Sequence, residues 1–179
     1  ISLILNNYNS GSKIRTGYIV AIIGKSNTGK SSFFNNISKQ DIAIVTNQPG
    51  TTRDALESFI DVFGLPVRFF DTAGIRNSSD LIENIGIKKS IKISEDADIN
   101  LVFIDKYSDI KGFRDYQNKI YIHSKYDLYK KPLNKINVIN ISSKTSYGIK
   151  KLLKIIFKQL SNKHISENLY ISRERHQSC

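Results

Sequence analysis

The chain has 179 residues, 40% of them hydrophobic, a single cysteine at its last position and a formal charge of +11 at pH 7. This length supports one substantial core and hence one globular domain, while a lone terminal cysteine excludes an internal disulfide framework and a cysteine zinc cluster and fits a reducing, cytoplasmic setting. The apolar runs have strand length rather than membrane-span length and the first residues lack a signal-peptide layout, so a soluble domain with no membrane partner is expected. A start at Ile1 and the absence of methionine suggest a piece of a longer polypeptide. The lysines look scattered through a chain rich in Ile, Asn and Lys, which favours a solvated surface over an RNA-binding one.

Along the chain, Tyr18 to Ile23 is a continuous apolar run that predicts a buried strand, followed by a glycine-containing loop and a helix from Lys30. Leu56 to Val62 and Val67 to Phe70 flank "FGLP", whose Gly64 and Pro66 read as turn residues of a hairpin. Ser79 or Asp80 can cap a helix carrying Leu81, Ile82 and Ile85, after which Ile99 to Ile104 returns as a buried strand. Lys119 to His123 and Ile136 to Ile141 predict two more strands, and Ile149, Leu152, Leu153, Ile156 and Leu160 fall on helical spacing. This alternation predicts an α/β fold: a mostly parallel six-stranded sheet with one antiparallel hairpin strand, helices on both faces, and ligand-binding loops at the strand ends.

Four loops carry candidate chemistry. "GKSNTGKS", Gly24 to Ser31, has Walker A spacing, in which Asn27, Thr28 and Gly29 shape a turn whose N–H groups converge on phosphate. Lys30 would reach the β and γ phosphates, Ser31 offers a hydroxyl to Mg²⁺, and Ser32 follows at the helix start. "TNQPGTTRD" supplies Thr46, Asn47, Gln48, Pro49, Gly50, Thr51 and Thr52 where a switch loop would sit, with Thr52, or less favourably Thr51, as a second Mg²⁺ hydroxyl. A plain surface loop is the bland alternative. "DTAG" gives Asp71 for the metal's outer shell, Thr72 and Ala73 beside it, and Gly74, whose N–H can meet the γ-phosphate. In "HSKYD", Ser124, Lys125 and Asp127 form a base-reading turn: Asp127 can accept from the ring N–H and amino group of guanine, which adenine lacks, and Lys125 would lie over the purine. Ser142, Ser143 and Lys144 of "SSK" would present an N–H to the guanine oxygen, although alone they read as an ordinary turn.

"SNTGKSS", "PGTTRDALE", "DTAGIR" followed by "IENIGIKKS", and the tail "RERH" resemble the tRNA-modification GTPase family MnmE, also called TrmE, over nearly the whole chain. The resemblance implies a Ras-like P-loop GTPase domain at 17–161, a residual linker at 1–16, and a return into a helical domain at 162–179. It implies an intact protein that dimerises, pairs its G domains transiently, and works with the flavoprotein MnmG on the tRNA wobble uridine to install 5-carboxymethylaminomethyl or aminomethyl groups, driven by hydrolysis of GTP to GDP. It further implies Mg²⁺ at Ser31 and Thr52, a stimulating K⁺ held by Asn27, Thr46, Gln48 and Thr51, and Glu83 of "IENIG" as the carboxylate that handles the attacking water. Arg53 and Arg76 rank lower as arginine fingers.

Three departures stand out against that pattern. Ser124 replaces an asparagine, removing a carboxamide that can bind the base and tie loops together, so weaker nucleotide affinity is expected. Ser26 replaces a proline, loosening the loop. Asp105 to Asn118 is short for this fold, so its helix is expected to be shrunken or absent. The alternatives are a Der-type ribosome-assembly GTPase, which shares "GTTRD" and "DTAGIR", and a nucleotide-binding module with little turnover.

Overall fold

A computed structural model describes residues 13, 16–39, 57–72, 83–128, 133 and 137–175, with 83–88 and 164–175 given as helical backbone. In chain order these form β1 (Tyr18–Gly24), α1 (Lys30–Ser38), β2 (Glu57–Val62), β3 (Leu65–Asp71), α2 (Glu83–Asp96), β4 (Ile99–Ile104), a 3₁₀ turn (Tyr107–Phe113), β5 (Lys119–His123), β6 (Val138–Asn140) and α3 (Ile149–Arg175). The six strands lie in the order β2-β3-β1-β4-β5-β6. Every neighbouring pair is parallel except β2 with β3.

The near-unbroken apolar runs of β1 and β4 follow from burial on both faces of the sheet. All six residues of β4 are buried. On one face, Phe33, Phe34 and Ile37 of α1 and Leu152, Leu153, Ile156 and Leu160 of α3 close over the inward side chains of β1, β3 and β4. On the other, Ile93 of α2 and Ala97 just beyond its end, with Ile110 and Phe113 of the 3₁₀ turn, cover Ala21, Ile23, Val102 and Ile104. Truncating one of the fully buried aliphatics, such as Leu152→Ala, costs about 2–5 kcal/mol by this packing.

The β2–β3 hairpin turns on Phe63 and Gly64, at φ 54° and 90°, and Asp61 Oδ1 accepts the Gly64 N–H at 2.6 Å. Pro66 is therefore not a turn residue, contrary to the reading of "FGLP"; it pairs with Asp61 inside the ladder. A two-residue turn makes Val62 and Leu65 the hydrogen-bonded pair, so the next position needs no N–H and tolerates proline. The last strand is shorter than Ile136 to Ile141, because Asn137 adopts φ 71° and breaks the extended run before Val138. The helix capped by Ser79 or Asp80 is seen from Glu83 onward, its expected cap lying outside the described residues.

No full helix joins β4 to β5. The 3₁₀ turn stands there instead, held by Asp109, whose Oδ2 accepts the N–H groups of Asp105 (3.3 Å) and Lys106 (3.0 Å). Buried Asn100 clips this short connection, its Nδ2 donating to the carbonyls of Ser94 and Gln117, each at 3.0 Å. At the pole opposite the carboxyl ends of the strands, buried Asp98 accepts from Lys13, from Lys163 of α3 at 2.7 Å and from the Ile19 N–H at 3.0 Å. Residue 161 falls inside α3, which continues without a break to Arg175.

Candidate nucleotide site

The carboxyl ends of β1, β3, β5 and β6 converge on one rim of the sheet, and the loops that leave them form the site. After β1 the chain folds back into α1 through Asn27 (φ 60°) and Gly29 (φ 87°). Both lie in the left-handed region, which glycine and asparagine adopt most readily. A Cβ on Gly29 would stand 2.5 Å from Ser124 Oγ, so that position also needs glycine for space.

Within the loop, buried Thr28 donates its hydroxyl to the Lys25 carbonyl at 2.8 Å. The same carbonyl accepts Lys30 Nζ at 2.5 Å. The Walker lysine thus lies across its own loop, over the space where phosphate oxygens would offer it stronger, charged acceptors. Ser31 Oγ donates to Asp71 Oδ2 at 2.8 Å, joining the start of α1 to the end of β3. A hydroxyl and a carboxylate at this separation are hard oxygen donors of the kind Mg²⁺ takes beside phosphates. Thr72 turns its hydroxyl inward to the Ile22 carbonyl at 2.8 Å, fixing β3's exit against β1. A cavity of about 820 Å³ opens over these groups, lined by the phosphate loop, Thr72, Ser90 of α2, Tyr116 and Lys125.

The loops expected to read the base are built against the Gly24–Ser31 loop. Ser124 Oγ donates to the Thr28 carbonyl at 2.5 Å, and Lys125 Nζ to the Asn27 carbonyl at 2.6 Å. The tie between loops, expected to disappear with serine in place of asparagine, is therefore made by the Ser124 hydroxyl. Ser142 Oγ donates to Asp127 Oδ1 at 2.6 Å, and that hydrogen bond holds the Asp127 carboxyl below the usual carboxylate range. Ser143 enters through its carbonyl, which accepts Asn36 Nδ2 from α1 at 2.8 Å; Lys144 is exposed beside it. Stacked rings of Tyr126 and Tyr147, 4.4 Å between centroids, close the same pair of loops.

Behind them, buried His123 meets Asn140 Oδ1 through Nδ1 at 3.0 Å. Asn140 also receives the Leu133 N–H (3.2 Å) on Oδ1 and donates Nδ2 to the Leu133 carbonyl (3.3 Å). With the amide oriented that way, His123 Nδ1 is the donor. This pair, Asn36, and the ion pair of Lys25 with Asp109 at 2.6 Å had no signal in the sequence, because each joins positions 17 to 107 residues apart.

Of the candidate residues, the structure brings together Asn27, Thr28, Gly29, Lys30, Ser31, Ser32, Asp71 and Thr72 at the phosphate loop. Ser124, Lys125, Asp127, Ser142, Ser143 and Lys144 gather beside it. Thr46, Asn47, Gln48, Pro49, Gly50, Thr51, Thr52, Ala73 and Gly74, with Arg53 and Arg76, lie outside the described residues. Glu83 is the first residue of α2.

A family model described as "50S ribosome-binding GTPase" matches residues 19–142, which take in all of these positions except Ser143 and Lys144. The chain belongs to this GTPase family. It is 38% identical over 192 residues to the tRNA modification GTPase MnmE of Francisella tularensis subsp. holarctica, a match that covers 98% of this chain and 43% of the relative. The MnmE protein of Francisella philomiragia is likewise 38% identical over 187 residues, with 96% and 42% covered. The chain thus spans less than half the length of these relatives.

Among solved structures, an Aquifex aeolicus Era variant bound to GDP·AlF4⁻ shares the fold with a TM-score of 0.58 and 23% identity, over 79% of this chain and 56% of that one. The G domain of the T. maritima FeoB iron transporter does so at 0.57 and 23%, over 80% and 98%. The Ras-like P-loop GTPase fold expected from the motifs is therefore the fold observed. No helix among the described residues is long and apolar enough to cross a membrane.

Proposed function

We propose that this chain is the GTP-hydrolysing domain of a tRNA-modification GTPase, converting GTP and water to GDP and phosphate in a K⁺-stimulated reaction whose conformational change serves wobble-uridine modification together with MnmG. The observation that supports the catalytic part is the 2.8 Å contact of Ser31 with Asp71 next to Lys30, an oxygen-donor pair in the loop of Walker A spacing. The tRNA part is supported by similarity along 98% of the chain to tRNA modification GTPases. The "ribosome-binding" description of the family model keeps ribosome assembly as the alternative.

In this reading the N–H groups of Asn27 to Ser31 bind the β-phosphate, and Lys30 leaves the Lys25 carbonyl for the β and γ oxygens. Ser31, with Asp71 behind it and Thr52 from the switch loop, would hold Mg²⁺, which when bound neutralises charge between the β and γ phosphates. Asn27, Thr46, Gln48 and Thr51 would hold K⁺, which when bound stabilises the charge growing on the bridging oxygen, work worth roughly 10³ to 10⁵ in rate when an arginine performs it. Glu83 orients the attacking water and takes its proton, directly or through a second water. Asp127, kept ionised by Ser142, accepts the guanine ring N–H and amino group, and Lys125 covers the purine. Pairing of two G domains would complete the switch geometry.

Phosphate release measured with Mg²⁺ in KCl and in NaCl tests this. Faster turnover in KCl is expected. Equal, slow rates in both salts with intact GDP binding would make the chain a nucleotide-binding module with little turnover.

A further inference from the structure

The folded chain does not spread its positive charge evenly. Residues 144–163 hold six of the 27 basic residues and none of the 16 acidic ones. α3 sorts them: Leu152, Leu153, Ile156 and Leu160 are buried, while Lys150, Lys151, Lys154 and Lys158 are exposed. At 1.5 Å per residue and 3.6 residues per turn, these four share one outward stripe, with Lys150, Lys154 and Lys158 about 6 Å apart along the axis. None of the four pairs with an acid among the described residues. By contrast the sequence of α2 interleaves its lysines with acids: Glu95 and Asp96, both exposed, follow Lys89 and Lys92. The chain's general richness in lysine accounts for the number of cations but not for an acid-free row along one helix face.

From this row we infer that the outer face of α3 is an RNA-docking surface, with Lys150, Lys151, Lys154 and Lys158 contacting consecutive phosphates of a folded RNA. Such a row gains affinity by releasing condensed counterions, so binding is electrostatic, salt-dependent and tolerant of base sequence. RNA is favoured over an anionic membrane because a membrane-surface helix inserts apolar side chains between its cations. Here the apolar residues of α3 are spent on the core, with Ile155 and Phe157 packed against it as well. The inference deepens the tRNA-modification reading and rests on it for the choice of RNA as the polyanion.

The test uses the full chain and a fluorescein-labelled tRNA transcript, titrated at several KCl concentrations, with GTP hydrolysis measured on the same samples. Replacing Lys151, Lys154 and Lys158 by Gln should weaken binding about tenfold or more at moderate salt and flatten the slope of log K against log [KCl] by about 3, roughly one for each phosphate no longer neutralised. Hydrolysis should be unchanged. The double substitution Lys92→Gln and Lys111→Gln, at exposed positions off this face, should leave both measurements unchanged. An unaltered slope in the triple variant, no binding of the transcript by the unmodified chain, or binding only to phosphatidylglycerol vesicles would overturn the assignment. If that happens while K⁺-stimulated hydrolysis persists, the surface fails and the GTPase reading stands; loss of the K⁺ effect would instead count against that reading itself.

Discussion

Ser124 Oγ lies 2.5 Å from the Thr28 carbonyl oxygen, so one hydroxyl from the base-reading turn seals the buried floor of the phosphate loop. Removing it leaves a carbonyl in a residue only 1% exposed without this donor. Ser124→Ala should therefore weaken GDP binding by about 1–2 kcal/mol, roughly 5- to 30-fold, most of it the cost of the orphaned acceptor. Titration with a fluorescent GDP analogue measures this. An unchanged affinity would mean that the two loops are positioned independently.

Gly29 faces the same hydroxyl. Its φ of 87° and the 2.5 Å approach of a Cβ to Ser124 Oγ make Gly29→Ala doubly unfavourable. GDP affinity should fall by more than tenfold, about 1.4 kcal/mol or more, in the same titration.

If Asp127 reads the base as proposed, Ser142 sets the acid limit of that recognition. Its hydrogen bond holds the Asp127 carboxyl below the usual range, so the ionised acceptor persists above that lowered value and is lost only as pH falls through it. In Ser142→Ala the carboxyl returns toward the ordinary carboxylate range. Loss of GDP affinity on acidification should then begin at higher pH than in the unmodified chain, with little change at neutral pH beyond the effect of removing the hydroxyl itself. GDP affinity measured from neutral pH downward reads this.

Asp98 governs a different pH dependence, that of the fold. Burial pushes its carboxyl up, but hydrogen bonds from Lys13, Lys163 and the Ile19 N–H outweigh burial and hold it below the ordinary value. A depressed pKa contributes stability that is complete above the unfolded value near 3.9 and is lost as pH falls through the folded one. Asp98→Ala should lower stability at pH 7 by about 2–3 kcal/mol, since the two lysines keep partial access to water. It should also flatten the acid limb of a plot of Tm against pH.

How far the sequence can be read follows from the range of each interaction. β4 lies at the predicted residues and β1 within one, because burial on both faces writes a near-unbroken apolar run; β5, less buried at Lys119 and Tyr121, also lies at the predicted residues. Pro66 reads as a turn residue because a proline looks like one wherever the hydrogen-bonding phase of the strand is unknown, and that phase depends on Phe63 adopting a positive φ. The phosphate loop is legible because its glycines and lysine are neighbours. The Ser124 tie is not, since it spans 96 residues and a serine carries no mark of the carbonyl it will meet. His123 and Asn140 are opaque for the same reason.

Whether Glu83 handles the attacking water is tested most directly by single-turnover hydrolysis of bound GTP by Glu83→Ala in KCl with Mg²⁺. GTP affinity should stay close to that of the unmodified chain while the hydrolysis rate falls by about 10²-fold or more, the scale of a lost general base. Hydrolysis at the unmodified rate with GTP bound would contradict it and remove Glu83 from the mechanism.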